Sequence, residues 1–265
     1  MFQPIVPVGG LGGWVFLNNT KDVQAETFNN SPQLVRDTDY FQERIGNVIS
    51  AEDLVSDRRL LRVALGAFGL QEDIDNRFLI KKVLEDGTSD GAALANRLSD
   101  ERYKQFSEAF GFGNGPVART QLTGFGAEIV AKYRARAFEI AVGSQDQNLR
   151  LAMNAERELA EIGNEDAAED TRWFRIMGTP PLRKVFESAF GLPSGFGQLD
   201  IDKQLEVFKE RARSVFGVTS LDEMTESTVR EKVIQTYLLR EQVNGLNQHS
   251  SNSIALTLLQ GARSP

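Results

Sequence analysis

The sequence predicts an all-α protein of about ten helices, and three observations predict it. Apolar residues recur at helical spacing through most of the chain. Residues that cap helix N-termini stand just ahead of those stripes. Finally, Ala67-Phe68-Gly69-Leu70, which closes one stripe, recurs as Ala109-Phe110-Gly111-Phe112 and as Ala189-Phe190-Gly191-Leu192. A Gly just past the last helical turn can take the left-handed conformation, and the apolar residue after it folds back onto the helix. Phe68, Phe110 and Phe190 then belong to buried faces. Gly69, Gly111 and Gly191 are the stops, and Leu70, Phe112 and Leu192 fold back over them.

In chain order, residues 1–20 hold two Pro and the cluster Gly9-Gly10-Leu11-Gly12-Gly13, followed by Trp14 to Leu17. A phosphate-binding loop would need a strand before the glycines and Lys-Ser/Thr opening a helix after them, and neither is present. The segment reads as a flexible arm whose apolar tip, Trp14 and Phe16, docks on its own domain or on a partner. Ser31 and Pro32 open a helix striped by Leu34, Thr38 and Phe41. Ser50 with Asp53 forms a capping box, and the helix from Asp57 to Phe68 follows. Asp73 and Asp75 read as caps of a helix striped by Phe78, Leu79, Val83 and Leu84. Residues 85–91 resemble a calcium loop, but Arg97 stands where its Glu is needed, so a plain turn is expected. Ser99 caps the helix that ends at Phe110.

Residues 113–126 are rich in Gly and read as a linker between a first helical half, 21–112, and a second, 127–243. Ile129, Tyr133, Ala137 and Ile140 stripe the next helix, and Gly143-Ser144 interrupts it. Thr179-Pro180 restarts the pattern toward Phe190. There the order seen after Phe68 returns: stop, Asp-Ile-Asp, apolar helix. The two stops lie too far apart for a short solenoid period, so the sequence predicts two similar, duplicated halves packed together. Residues 244–265, rich in Asn and Ser, read as a loose C-terminal tail.

A net charge of −7 disfavours nucleic acid, whose phosphates need a basic field. No run approaches the ~18 apolar residues of a membrane span. The N-terminus lacks the basic and apolar regions of a cleavable signal peptide. The cytoplasm and export by a non-cleaved route both fit. The chain has no Cys and a single His, His249, in the polar tail. A His- or Cys-based triad, or a His pair for a metal, is therefore not expected. Asp73/Asp75 and Asp200/Asp202 could do acid–base work, but helix capping explains both pairs. No catalytic, metal or cofactor residue is nominated.

Several segments together resemble one family: Trp14–Leu17, Asp37–Leu70, Lys82–Gly87, Ala95–Phe112, Phe138–Gly143 and Met177–Leu205. It is the bacterial domain of unknown function numbered twelve-seventeen, found mostly in alphaproteobacteria, with genes often among flagellar genes. The resemblance covers roughly residues 14–243 and implies an all-helical fold with a flagellar connection. It supplies no activity and no catalytic residues. The expected function is that of a non-enzymatic helical interaction protein with protein partners, flagellar components among them. The alternative is a small-molecule-binding or enzyme-like protein with a pocket between the two halves.

Overall fold

The computed structural model describes residues 2–115 and 117–261, with side chains described as far as residue 246. Among these residues it is all-helical, with no strand. The helices are α1 (Gly10–Asn29), α2 (Pro32–Arg44), α3 (Ala51–Ser56), α4 (Arg58–Ala67), α5 (Arg77–Asp86), α6 (Leu94–Arg97) and α7 (Glu101–Phe110). They continue as α8 (Phe125–Gly143), α9 (Gln147–Gly163), α10 (Glu169–Gly178), α11 (Pro180–Phe190), α12 (Ile201–Arg211), α13 (Leu221–Thr225) and α14 (Ser227–Gly261).

The chain forms two compact units. The first comprises Met1–Ile5, Asn18–Gln145 and Arg175–Pro180, and the second Val6–Leu17, Asp146–Phe174 and Pro181–Pro265. The Gly-rich stretch 113–126 therefore lies inside the first unit and not between units. It connects α7 to α8 through a 3₁₀ turn at Arg119–Gln121, pinned by the Thr120 hydroxyl donating to the Val48 carbonyl at 2.5 Å.

In the first unit α4 is the core helix and packs against α2, α3 and α8. Leu60, Leu61, Val63, Ala64, Leu65 and Ala67 are all buried, which leaves little of α4 for solvent beyond its arginines. Asp57 caps it, accepting from the Arg59 and Leu60 amides at 2.9 and 3.1 Å. The Ser50–Asp53 capping box that opens α3 is present. At the far end of α4, Gly69 has φ 73°. The Leu70 amide donates to the Leu65 carbonyl at 2.9 Å and the Gly69 amide to the Gly66 carbonyl at 3.3 Å. Those two bonds are a Schellman motif, and Leu70 is buried as the motif requires. Phe68, Phe106, Phe110 and Phe125 form a chain of rings with centroid spacings of 5.4, 5.0 and 5.2 Å.

The second unit closes α11 in the same way. Gly191 has φ 66°, and the Leu192 and Gly191 amides reach the Glu187 and Ser188 carbonyls at 2.9 Å each. Gly111, at φ 68°, makes only the bond to the Ser107 carbonyl, so α7 ends in the simpler left-handed cap. A fourth stop is Phe216-Gly217-Val218, where Gly217 has φ 74° and Val218 is buried after a π-helical turn at Ala212–Phe216. Trp173, Phe186, Phe190 and Phe208 form the aromatic core of this unit. α14 packs along α9, and the Tyr237 hydroxyl donates to Asn148 Oδ1 at 2.9 Å.

An arginine lies against each of the three stop glycines. The Arg136 Nε–H donates to the Ala67 carbonyl at 2.8 Å and Arg102 to the Gly69 carbonyl at 2.5 Å. A Cβ on Gly111 would meet the Arg119 side chain, and one on Gly191 would collide with the Arg240 guanidinium. Cations at helix C-termini complement the partial negative charge of the last carbonyls.

Six local expectations are corrected. The arm is no flexible segment: α1 starts at Gly10. Its glycines serve close packing, since a Cβ on Gly13 would collide with the Val8 carbonyl and press on Leu149. Asp73 and Asp75 do not cap α5, whose N-cap position is Asn76. Asp73 instead accepts from Tyr103, and Asp75 pairs with Arg58 at 2.6 Å. Ser31 sits at the N-cap of α2 but its hydroxyl is buried without a partner, and the cap of α7 is Asp100, not Ser99. Phe78 is 85% exposed, because Ile80, Val83 and Leu84 form the buried face of α5. Finally, α14 runs on to Gly261 where a loose tail was expected from residue 244. No Pro interrupts 227–261, and a Gly such as Gly245 costs a helix only ~1 kcal/mol.

Candidate functional site

The first unit carries a groove of about 590 Å³ between α2, α4 and α8, within the size range of ligand sites. Its apolar wall is Phe28, Leu34, Ala137, Ile140 and Ala141. The helical repeat places these residues together: Ala137, Ile140 and Ala141 are one face of α8, and Phe28 is fixed edge-on to Phe138 at 5.8 Å. Ile140 is 39% exposed, so the wall offers open apolar area.

One corner of the groove is polar. Asp37 is 6% exposed; its Oδ2 accepts from Gln33 Nε2 at 2.9 Å. Arg59 and Arg62 hold guanidinium nitrogens 3.6 and 3.7 Å from that carboxylate, attractive but beyond hydrogen bonding. Tyr133 stands opposite. Burial pushes its hydroxyl pKa up, the Asp37 charge adds to that, and Arg62 opposes it. It remains a protonated donor, and among the described residues it makes no hydrogen bond. Gln71 Oε1 is buried without a partner. Gly66 lets the Tyr133 ring close on α4, since a Cβ there would lie 2.6 and 2.7 Å from two ring carbons. The corner thus offers a free donor, a free acceptor and a carboxylate between two cations.

The sequence-nominated residues lie elsewhere. Trp14 is fully buried in the second unit, donating its indole N–H to Glu231 at 3.0 Å, so it packs on its own unit and is closed to a partner. Phe16 is half-buried on the same helix. Of the stop residues, Phe68, Leu70, Phe110 and Phe190 are buried, and Phe112 and Leu192 are half-buried. None of them lines the groove. Among the described residues no helix is long and apolar enough to cross a membrane.

The tyrosines make stability depend on alkaline pH. The Tyr103 hydroxyl donates to Asp73 Oδ2 at 2.7 Å. Burial first, then that bond and the carboxylate charge, push it from 10.0 up to about 12. Burial also raises Tyr133 and Tyr237. Above pH 10 the unfolded chain loses phenolic protons that the folded chain keeps, so stability falls as pH rises. The urea midpoint should hold steady from pH 7 to about 9, then fall between about 10 and 12, and Tyr103→Phe should reduce that fall. A decline complete before pH 9 would contradict this assignment.

Comparisons with known proteins agree with the helical fold. A crystal structure of a structural-genomics target from Agrobacterium tumefaciens aligns with a TM-score of 0.71 and 24% identity, covering 92% of this chain and 99% of that chain. At that identity the likeness speaks for the fold alone. No curated protein matches the chain. The family model described as "Protein of unknown function (DUF1217)" matches residues 67–229, more than half of the sequence. The chain belongs to the DUF1217 family.

Proposed function

We propose that the protein works by binding and not by catalysis, as a helical accessory of flagellar assembly or function that holds an apolar segment of a protein partner in the first-unit groove. The observation that carries the binding reading is the preformed apolar wall beside a polar corner, where Gln71 Oε1 is buried without a partner and the Tyr133 hydroxyl can donate. A peptide backbone brings both a carbonyl and an N–H to such a corner, while apolar side chains take the wall. The flagellar part rests on the family resemblance. The non-enzymatic part rests on a sequence with no Cys and a single His. A second reading, a small amphipathic ligand in the same groove, is favoured by its volume.

Filling the groove tests the proposal. Ala137→Trp places an indole against the wall at a half-exposed position, where the fold can absorb it. A deletion strain should lose swimming. The wild-type gene should restore it and the Ala137→Trp gene should not, with the melting temperature changed by no more than about 4 °C. Restored swimming by the variant would remove the groove from the function. A deletion strain that swims normally would remove the flagellar role. A small molecule co-purifying with the wild-type protein but not with the variant would favour the second reading.

A further inference from the structure

The groove is partly covered by the chain itself. Phe2 and Gln3 belong to its lining, yet they precede α1 and lie in no helix. Side-chain amides hold this strap down. The Ile5 amide donates to Gln24 Oε1 at 2.6 Å, and Gln24 Nε2 returns a bond to the Ile5 carbonyl at 3.3 Å. Gln145 donates to the Pro4 carbonyl. Gln24 is 7% exposed, and its amide is oriented by a second bond to Thr20 Oγ1 at 2.8 Å. One buried glutamine therefore reads an N–H and a C=O of the same residue, as a neighbouring strand would. Pro4 is buried, and with no N–H it asks for no donor partner there.

The strap itself is weakly anchored. Phe2 is only half-buried and Ile5 is 58% exposed. Such a segment competes for its own site at the effective concentration of a short tether, on the order of millimolar. A free segment of the same chemistry but better fit would displace it.

We infer that the partner recognised by the groove is an extended segment with an aromatic residue two positions before a proline, and that residues 2–5 are its built-in stand-in, displaced when the partner binds. This rests on the groove being a binding surface. The aromatic ring takes the place of Phe2 in the groove lining, the proline takes the place of Pro4, and the next backbone amide and carbonyl pair with Gln24.

The test uses the synthetic peptide Phe-Gln-Pro-Ile-Val-Pro, the sequence of residues 2–7, carrying a fluorophore at its C-terminus. Its binding is followed by anisotropy on the full chain and on a chain lacking residues 2–5. The shortened chain should bind the peptide at least about ten-fold more tightly, because the tethered competitor is gone. Adding Gln24→Leu to the shortened chain, or replacing the peptide's phenylalanine by alanine, should each weaken binding about ten-fold. Should the shortened chain misfold, Phe2→Ser in the full chain loosens the strap with the groove intact and should also tighten peptide binding. Equal binding to the full and loosened chains, or none to either, overturns the inference. Swimming of the Ala137→Trp strain reads the groove separately: impaired swimming with no strap effect sinks only the strap. Normal swimming together with a strap effect sinks only the flagellar use of the groove.

Discussion

Phe190→Ala should destabilise the second unit by about 3–5 kcal/mol, the range for removing a buried aromatic ring from a core that cannot close around the hole. Phe190 is 1% exposed and meets three rings: Phe186 at 5.4 Å, Phe208 at 5.4 Å and Phe216 at 5.9 Å. It is also the last residue of α11 before the stop glycine, so its loss loosens the junction that the Leu192 amide closes. Both tryptophans lie in this unit, and Trp173 stands edge-on to Phe186 at 6.3 Å. Tryptophan emission in urea therefore reports the unfolding of the altered unit. A loss below about 1 kcal/mol would mean the cluster repacks, and Phe190 would not be a keystone of this core.

Gly66→Ala should disable the groove at modest cost to stability. In a free helix this change stabilises by ~1 kcal/mol. Here the new methyl would sit 2.6 Å from the Tyr133 ring, and overpacking of that kind costs ~1–3 kcal/mol. The second effect is on average the larger, so a net loss of up to about 2 kcal/mol is expected. Tyr133 lines the groove, so moving its ring away from α4 reshapes the groove and relocates the hydroxyl. Binding of the proline peptide to the chain lacking residues 2–5 should fall at least about ten-fold. Gly46→Ala, where a Cβ meets nothing within 4 Å, is the matching control. If Gly66→Ala proves stabilising and leaves binding unchanged, Tyr133 does not hold the groove's shape.

What the sequence made legible was local. All three stop glycines have the positive φ that the Phe-Gly-apolar pattern implies, and the Ser50–Asp53 box stands where spacing put it. These features depend on neighbours along the chain. The misreadings depend on partners far along it. Gly13 looks like a hinge until Val8 and Leu149 close on it, and Asp73 looks like a cap until Tyr103 takes its carboxylate. The groove was illegible for the same reason. Tyr133, Ala137 and Ile140 carry the periodicity of a core stripe, and only the placement of α2 and α4 turns that stripe into a wall. Gln24 gave no signal, since its role is to bond a backbone nineteen residues earlier.

The arginines against the stop glycines carry a consequence for how this sequence can drift. At position 69 a side chain must both adopt a strained backbone and press on Arg102 and Arg136, whose bonds to the Ala67 and Gly69 carbonyls finish the helix. Shortening an arginine to make room strands a carbonyl, and keeping it forces the guanidinium to give by a few tenths of an ångström. Neither single step is neutral, so a change at either residue is expected to cost stability. At position 191 the backbone strain remains, but the Arg240 guanidinium is the far end of an exposed side chain and can move aside.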